Sequence, residues 1–350
     1  MKFWLSWIAF GGAMVIAALA FLNASWAAQT PDGQIKLIAN HGIAQLPPRR
    51  SSASAGCSAS AIEPPVHDYV ENTIRSMQTA WELGGDMVQI DISPTADGKI
   101  AVFGDRTLDC RTDGKGEVRS KTMAELRKLD AGYRYTADGG ATFPLRGQAQ
   151  DRIPSVEEAL AALRITPILF NFTNDNPAVA DRLLATFASA DRDVEKIGDG
   201  FVGPRAPIEQ IKRKYPRAWA WTTGNAERCT RDYLRYGWLT IVPDSCRNGT
   251  LLVPLNKQWL YAGWPNRLLA RMSKAGAHVV VTGPETPGAP VTGLTLPEQF
   301  GEIPSTFTGY ALVDDIWTIG PALRPDRDMR NRQQEDAAEA GLARRRARRQ

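Results

Sequence analysis

Strand-length apolar runs alternate with helix-length amphipathic runs along most of this chain, and no other feature constrains the fold as much. Strand candidates start at Ile35, Met87, Pro167, Gly198, Arg217, Leu239, His278 and Ala311, the sixth covering Leu239 to Val242 and the last running to Thr318. Segments with helical spacing stand between them, among them Ala178 to Ala188, Ile208 to Lys214, Arg228 to Tyr236 and Leu268 to Ala275. Eight strands separated by helices predict an α/β fold of the TIM (β/α)8 barrel class. An open doubly wound sheet is the alternative, but no glycine-rich phosphate fingerprint opens the first helix.

The most informative stretch runs from Glu71 to Gly116. Ile74, Met77 and Trp81 recur at helical spacing, and Gly84-Gly85 stops that helix. In the following MVQIDIS, Met87, Gln89 and Asp91 face one way and Val88, Ile90 and Ile92 the other. Polar side chains on one face of an otherwise apolar strand look into a pocket. Asp97-Gly98 makes a tight turn into the returning strand IAVFGD. Further on, Ser155 and Glu158 form a capping box at the start of a helix.

Several motifs in this stretch resemble the glycerophosphodiester phosphodiesterase family. They are Glu71-Asn72-Thr73, the helix end Glu82 to Asp86, Gln89-Ile90-Asp91, the Asp97-Gly98 turn, Phe103-Gly104-Asp105 and Thr107 to Gly116 (TLDCRTDGKG, where the family reads TLDRTTDGKG). MAELRKLDAG and RIPSVEEAL continue the match, which is dense from about Leu37 to Ala162. The resemblance implies a barrel of the phospholipase C-like phosphodiesterase type. It also implies hydrolysis of glycerophosphodiesters to glycerol 3-phosphate and an alcohol.

The family's site residues transfer only in part. Strand one there ends in His-Arg-Gly, which aligns with Asn40-His41-Gly42, and the second catalytic His aligns with Gly104. The divalent cation, calcium or magnesium, is held in the family by the Glu of ENT, both carboxylates of E-x-D and a Glu on strand three. The matching residues here are Glu71, Gln89, Asp91 and Asn171, with Thr173 where the family has a phosphate-facing Lys. An acid/base group is typically worth about 10²–10⁴ in rate. Asn40 exchanges no proton near neutral pH, and Gly104 has no side chain. Two carboxylates instead of four hold a hard cation weakly.

The expectation is therefore a family member with impaired turnover, retained to bind a glycerophosphodiester-like small molecule or a partner. The alternative is an active metal-dependent phosphodiesterase using His41 or His67 with Glu71 and Asp91. A structural envelope protein is a further alternative. His278 reads as a packed or capping histidine, and Asp105 and Asp109 as residues that shape the turn.

Outside the barrel, Phe3 to Leu22 carries no charge over twenty residues. That length matches a bilayer core of about 30 Å. Residues 1–28 are expected to be a signal anchor or a signal peptide, placing 29–323 on the membrane's exported side, periplasmic or extracellular. Four cysteines suit export. Cys57 and Cys110 flank the site from successive loops and Cys229 and Cys246 lie in neighbouring segments, so these are the expected pairs. A net charge of +4 is small for 350 residues and gives no reason to expect a nucleic-acid partner. Residues 324–350 read as a mobile tail or solvated helix, with acidic phospholipid as one partner for its arginines.

Overall fold

The computed structural model describes residues 2–48, 57–147 and 152–348. The middle of the loop after the first strand, 49–56, and the end of the excursion at 148–151 therefore lie outside the described residues, as does Arg349. The chain opens with α1 (Lys2–Leu22) and β1 (Lys36–Ala39). Next come α2 (Ile74–Glu82), β2 (Met87–Pro94), β3 (Ile100–Val102), α3 (Met123–Leu126) and α4 (Val156–Ala162). Then follow β4 (Ile168–Phe172), α5 (Pro177–Ser189), α6 (Val194–Ile197), β5 (Gly200–Gly203), α7 (Arg205–Lys214), β6 (Trp219–Thr222) and α8 (Thr223–Tyr236). The last part carries β7 (Thr250–Pro254), α9 (Asn266–Lys274), β8 (His278–Thr282), β9 (Tyr310–Val313), α10 (Ile316–Leu323) and α11 (Arg332–Ala347).

Internal packing divides the chain into two units. The larger holds 37–222, 292–300 and 312–350. In it β1, β2, β4, β5 and β6 pair in that order, all parallel, while β3 returns antiparallel along β2. The Asn40 N–H donates to the Val313 carbonyl at 2.9 Å, so the end of β9 lies beside β1. The smaller unit holds 1–36, 223–291 and 301–311, with β7, β8 and the start of β9 parallel. The parallel strands and the helices between them give the expected α/β, TIM-barrel-like fold.

The larger unit's core lies between its sheet and its helices. Val88, Ile90 and Ile92 from β2 meet Phe170 and Phe201 from β4 and β5, and Val179, Leu183 and Phe187 from α5. Phe170 and Phe201 stack with ring centroids 5.5 Å apart. Each such side chain contributes about 1.5–3 kcal/mol by leaving water. Because β2 commits this face to the core, Asp91 is turned to the opposite face. The Ser155–Glu158 capping box is present, as is a second one at Thr122–Glu125. Both expected disulfides are formed, Cys57–Cys110 and Cys229–Cys246.

Three expectations need correction. Leu239 to Val242 is not a strand. Leu239 and Ile241 are exposed, Thr240 takes φ 65°, and the strand is instead Thr250–Pro254, whose Leu251 and Val253 are buried. The strand expected over Ala311 to Thr318 stops at Val313, because Asp315 caps α10 by accepting the Thr318 N–H at 3.2 Å. The C-terminal segment, expected as a mobile tail or solvated helix, is a helix, but a docked one rather than a solvated one. Ala338, Gly341 and Leu342 bury one face of α11, and Arg345 pairs with buried Asp315 and, at 3.5 Å, with Glu63. Among the described residues no helix is long and apolar enough to cross a membrane.

Candidate functional site

The candidate site is built in the larger unit, where its parallel strands end. β1 gives way to Asn40-His41-Gly42. The Asn40 side chain donates to Asp314 Oδ1 at 2.8 Å, leaving its own buried Oδ1 without a partner. His41 takes a left-handed conformation, φ 61°, which breaks the alternation of the strand and turns its ring. Gly42 follows with φ 78°, and a Cβ there would meet Ser76 Oγ at 2.8 Å, so the chain passes the start of α2 only as glycine.

His41 Nδ1 lies 3.0 Å from Asp91 Oδ2, an ion-pair contact whose direction falls outside hydrogen-bond geometry. Asp91 is held on two more sides. Asn171, its register partner on β4, donates through Nδ2 to Oδ1 at 2.7 Å. Asn72 donates to Oδ2 at 3.0 Å and accepts the Asp91 backbone N–H at the same distance. Burial pushes the Asp91 carboxyl up, but the His41 charge and the amide donors outweigh it and leave the group below the usual carboxylate range. Burial likewise pulls the His41 imidazole down. Asp91, with Asp314 further off, more than offsets this and leaves it above the ordinary value of 6.5.

Gly104 closes against the same carboxylate. A Cβ at that position would stand 2.3 Å from Asp91 Oδ2. No side chain fits there while Asp91 keeps its present place.

Beside this cluster lies Arg111, whose N–H groups all find acceptors. Nε donates to Asp105 Oδ2 at 2.8 Å and Nη2 to Asp105 Oδ1 at 3.3 Å. Nη1 donates to Tyr135 Oη at 2.7 Å and to Glu71 Oε1. Nη2 also donates to Ser58 Oγ at 2.9 Å. The other Glu71 oxygen, Oε2, is buried without a partner. Burial and then repulsion from Asp91 push the Asp105 carboxyl up to about 6, even with Arg111 beside it. Glu71, Asn72, Gly104, Arg111 and Tyr135 line a small shared cavity.

Residues 56–196 match the glycerophosphoryl diester phosphodiesterase family. A glycerophosphodiester phosphodiesterase from Caldanaerobacter subterraneus subsp. tengcongensis is 28% identical over 233 residues, covering 62% of this chain and 90% of the relative. One from Bacillus subtilis is 36% identical over 93 residues, which is 26% of this chain and 30% of the relative. Residues 56–196 carry a domain of the glycerophosphodiester phosphodiesterase family. Solved structures share the fold. The glycerophosphoryl diester phosphodiesterase domain of a Mycobacterium tuberculosis protein gives a TM-score of 0.56 at 18% identity, covering 84% of this chain and all of that one. An Oleispira antarctica phosphodiesterase, solved with its product sn-glycerol-3-phosphate, gives 0.50 at 17% identity, covering 83% and 97%.

The resemblance assigns this family a divalent cation, and the residues present do not fit one. Asp91 receives N–H donors from Asn72 and Asn171, so those amides turn nitrogen rather than ligating oxygen toward it. Glu71 faces a guanidinium. Among the described residues no group of three or more His, Cys, Asp or Glu is placed to hold a metal ion.

The remaining sequence candidates fall differently. Gln89 is partly buried, two residues before Asp91 on the same strand. Thr173 is used by the fold, with Oγ1 donating to the Ile92 carbonyl at 3.0 Å and lying 2.7 Å from Ser93 Oγ. His67 packs between Tyr69 and Trp317, contacts Gln45 Nε2 at 3.1 Å, and is lowered by burial to about 4, so it is neutral at physiological pH. Asp109 accepts the Gly116 N–H at 2.8 Å and does shape the turn. Asp105, expected in that role, is instead an acceptor for Arg111. Sequence reasoning missed Arg111, Asp314 and the part played by Asn72. Arg111 had one visible signal: it stands where the family run has Thr. Nothing local marks Asp314, which reaches Asn40 across 274 positions of chain.

Proposed function

We propose that this protein binds a glycerophosphodiester or glycerol-phosphate-like small molecule at the strand ends, with turnover strongly impaired. One observation carries the reading. Asp91 Oδ2 lies 2.3 Å from where a Gly104 Cβ would be, and Asn40 occupies the other family histidine position. The two-imidazole relay that protonates a leaving alkoxide therefore has no counterpart. The test is hydrolysis of glycerophosphocholine by the purified protein with calcium or magnesium, alongside a thermal shift with sn-glycerol 3-phosphate. Background hydrolysis with a shift supports the reading. Metal-dependent release of glycerol 3-phosphate refutes it.

A second reading has its own support. His41 is partly exposed, paired with Asp91 and raised in pKa, which is the arrangement of a single general acid. Turnover abolished by His41→Ala, and surviving His67→Ala, would favour it. The third expectation, a structural envelope protein, predicts no ligand-induced shift at all.

Export is part of the proposal. Two disulfides suit an oxidising compartment, and the α1 side chains Phe3, Trp4, Trp7, Ile8 and Phe10 are exposed. Fractionation of cells and N-terminal sequencing of the mature chain decide between a cleaved leader, a retained anchor and neither.

A further inference from the structure

We infer that Arg111 is the resident cation of this site, so that the charge of Glu71 and Asp105, which would otherwise recruit a divalent ion, is neutralised from within the chain even though Glu71 Oε2 keeps no hydrogen bond. Glu71 is the first carboxylate that the resemblance assigns to metal, and its Oε1 is taken by Arg111 Nη1. The second carboxylate at the guanidinium, Asp105, is gripped on both oxygens through Nε and Nη2. Tyr135 Oη and Ser58 Oγ accept the two remaining N–H groups. Five donors meet five acceptors, which is the full capacity of a guanidinium. Arg111 therefore has no N–H left to hold a phosphate, and its work is to neutralise charge.

The arrangement is also fixed covalently. Cys57 and Cys110 are disulfide-bonded, and the residues that follow them, Ser58 and Arg111, are hydrogen-bonded to each other at 2.9 Å. The bridge thus ties the loop carrying one acceptor to the turn carrying the cation. The side chains of Arg111 and Glu71 are 16% and 10% exposed. A hydrated calcium or magnesium ion competing for Glu71 Oε1 would have to displace a largely buried, fully bonded guanidinium. Breaking a buried charge pair is strongly unfavourable.

This inference goes beyond the ligand-binding reading, since it concerns the ion alone and is read without any ester. Isothermal titration of the intact, oxidised protein with calcium, and with magnesium, gives the direct test. The expected result is no saturable binding, and a melting midpoint unchanged by EDTA or by millimolar calcium. Saturable binding in the wild type, or a midpoint that falls with EDTA and recovers with calcium, overturns the inference whatever the variants do. Arg111→Gln should leave Glu71 and Asp105 unbalanced and create calcium dependence, seen as a rise of a few degrees in midpoint with added ion. Glu71→Gln in that background should abolish the rise. An Arg111→Gln protein that folds and stays indifferent to calcium also overturns the inference. Arg111→Lys keeps the charge without the fork and should remain indifferent.

Discussion

Asp91 occupies the space that any side chain at position 104 would need: a Cβ on Gly104 would lie 2.3 Å from Asp91 Oδ2. That collision links two departures from the family pattern that look independent along the chain. The second histidine is absent, and the remaining strand carboxylate has closed over its place, held there by His41, Asn72 and Asn171. Gly104→His should therefore destabilise the protein by about 1–3 kcal/mol, the usual range for overpacking, without restoring turnover. Urea unfolding measures the loss. Adding Asp91→Ala to the variant should cost less than the two single changes summed, since they share one space.

The His41–Asp91 contact sets a pH dependence. His41 is raised above its ordinary 6.5, so its contribution to stability is complete below 6.5 and is lost as pH rises through its folded value. Asp91 is lowered below 3.8, so its contribution is present above 3.8 and is lost as pH falls through its folded value. Asp91→Asn should lower the His41 midpoint in an NMR titration and flatten stability against pH above 6.5 and below 3.8, the two ranges in which the pair titrates. An unmoved His41 resonance would show that the contact carries no charge coupling.

The Cys57–Cys110 bridge closes a span of 53 positions and holds Ser58 against Arg111. Replacing both cysteines with alanine should cost about 2–5 kcal/mol in urea unfolding. Hydrogen exchange should rise around Arg111 and Tyr135 rather than in the core between sheet and helices. Uniform exchange across the chain would contradict that local role.

Helix α11 is tied down by Arg345, whose partner Asp315 is buried and also caps α10. Arg345→Ala leaves that carboxylate buried without its cation and should cost about 3–5 kcal/mol. Asp315→Asn in the same background should recover part of the loss, because an amide can still accept the Thr318 N–H. The double variant's unfolding midpoint is the readout.

His67 is neutral and packed against Trp317, with its pKa lowered by burial to about 4. His67→Gln should leave any residual hydrolysis and sn-glycerol 3-phosphate binding unchanged while lowering the melting midpoint. A loss of binding with the midpoint intact would return His67 to the list of ligand contacts.

Much of this protein is determined by neighbours in sequence. The helix–strand–turn–strand run from α2 to β3, the Ser155–Glu158 cap and the placing of Asp91 on the strand face opposite Val88, Ile90 and Ile92 all follow from residues within a dozen positions of one another. Their periodicity and capping chemistry act locally, so they are legible before the chain folds. The place of β7 was not legible, because Leu239 to Val242 and Thr250 to Pro254 are both short apolar runs and only packing chose which one to bury. Nor was the docking of α11, since Glu63 and Asp315, the partners of its arginines, come from other parts of the chain. The site itself belongs to the tertiary structure. Arg111 meets Glu71 from 40 positions away and Asn40 meets Asp314 from 274, and a charge acquires its partner only when folding brings the two within a few ångströms and removes the water between them.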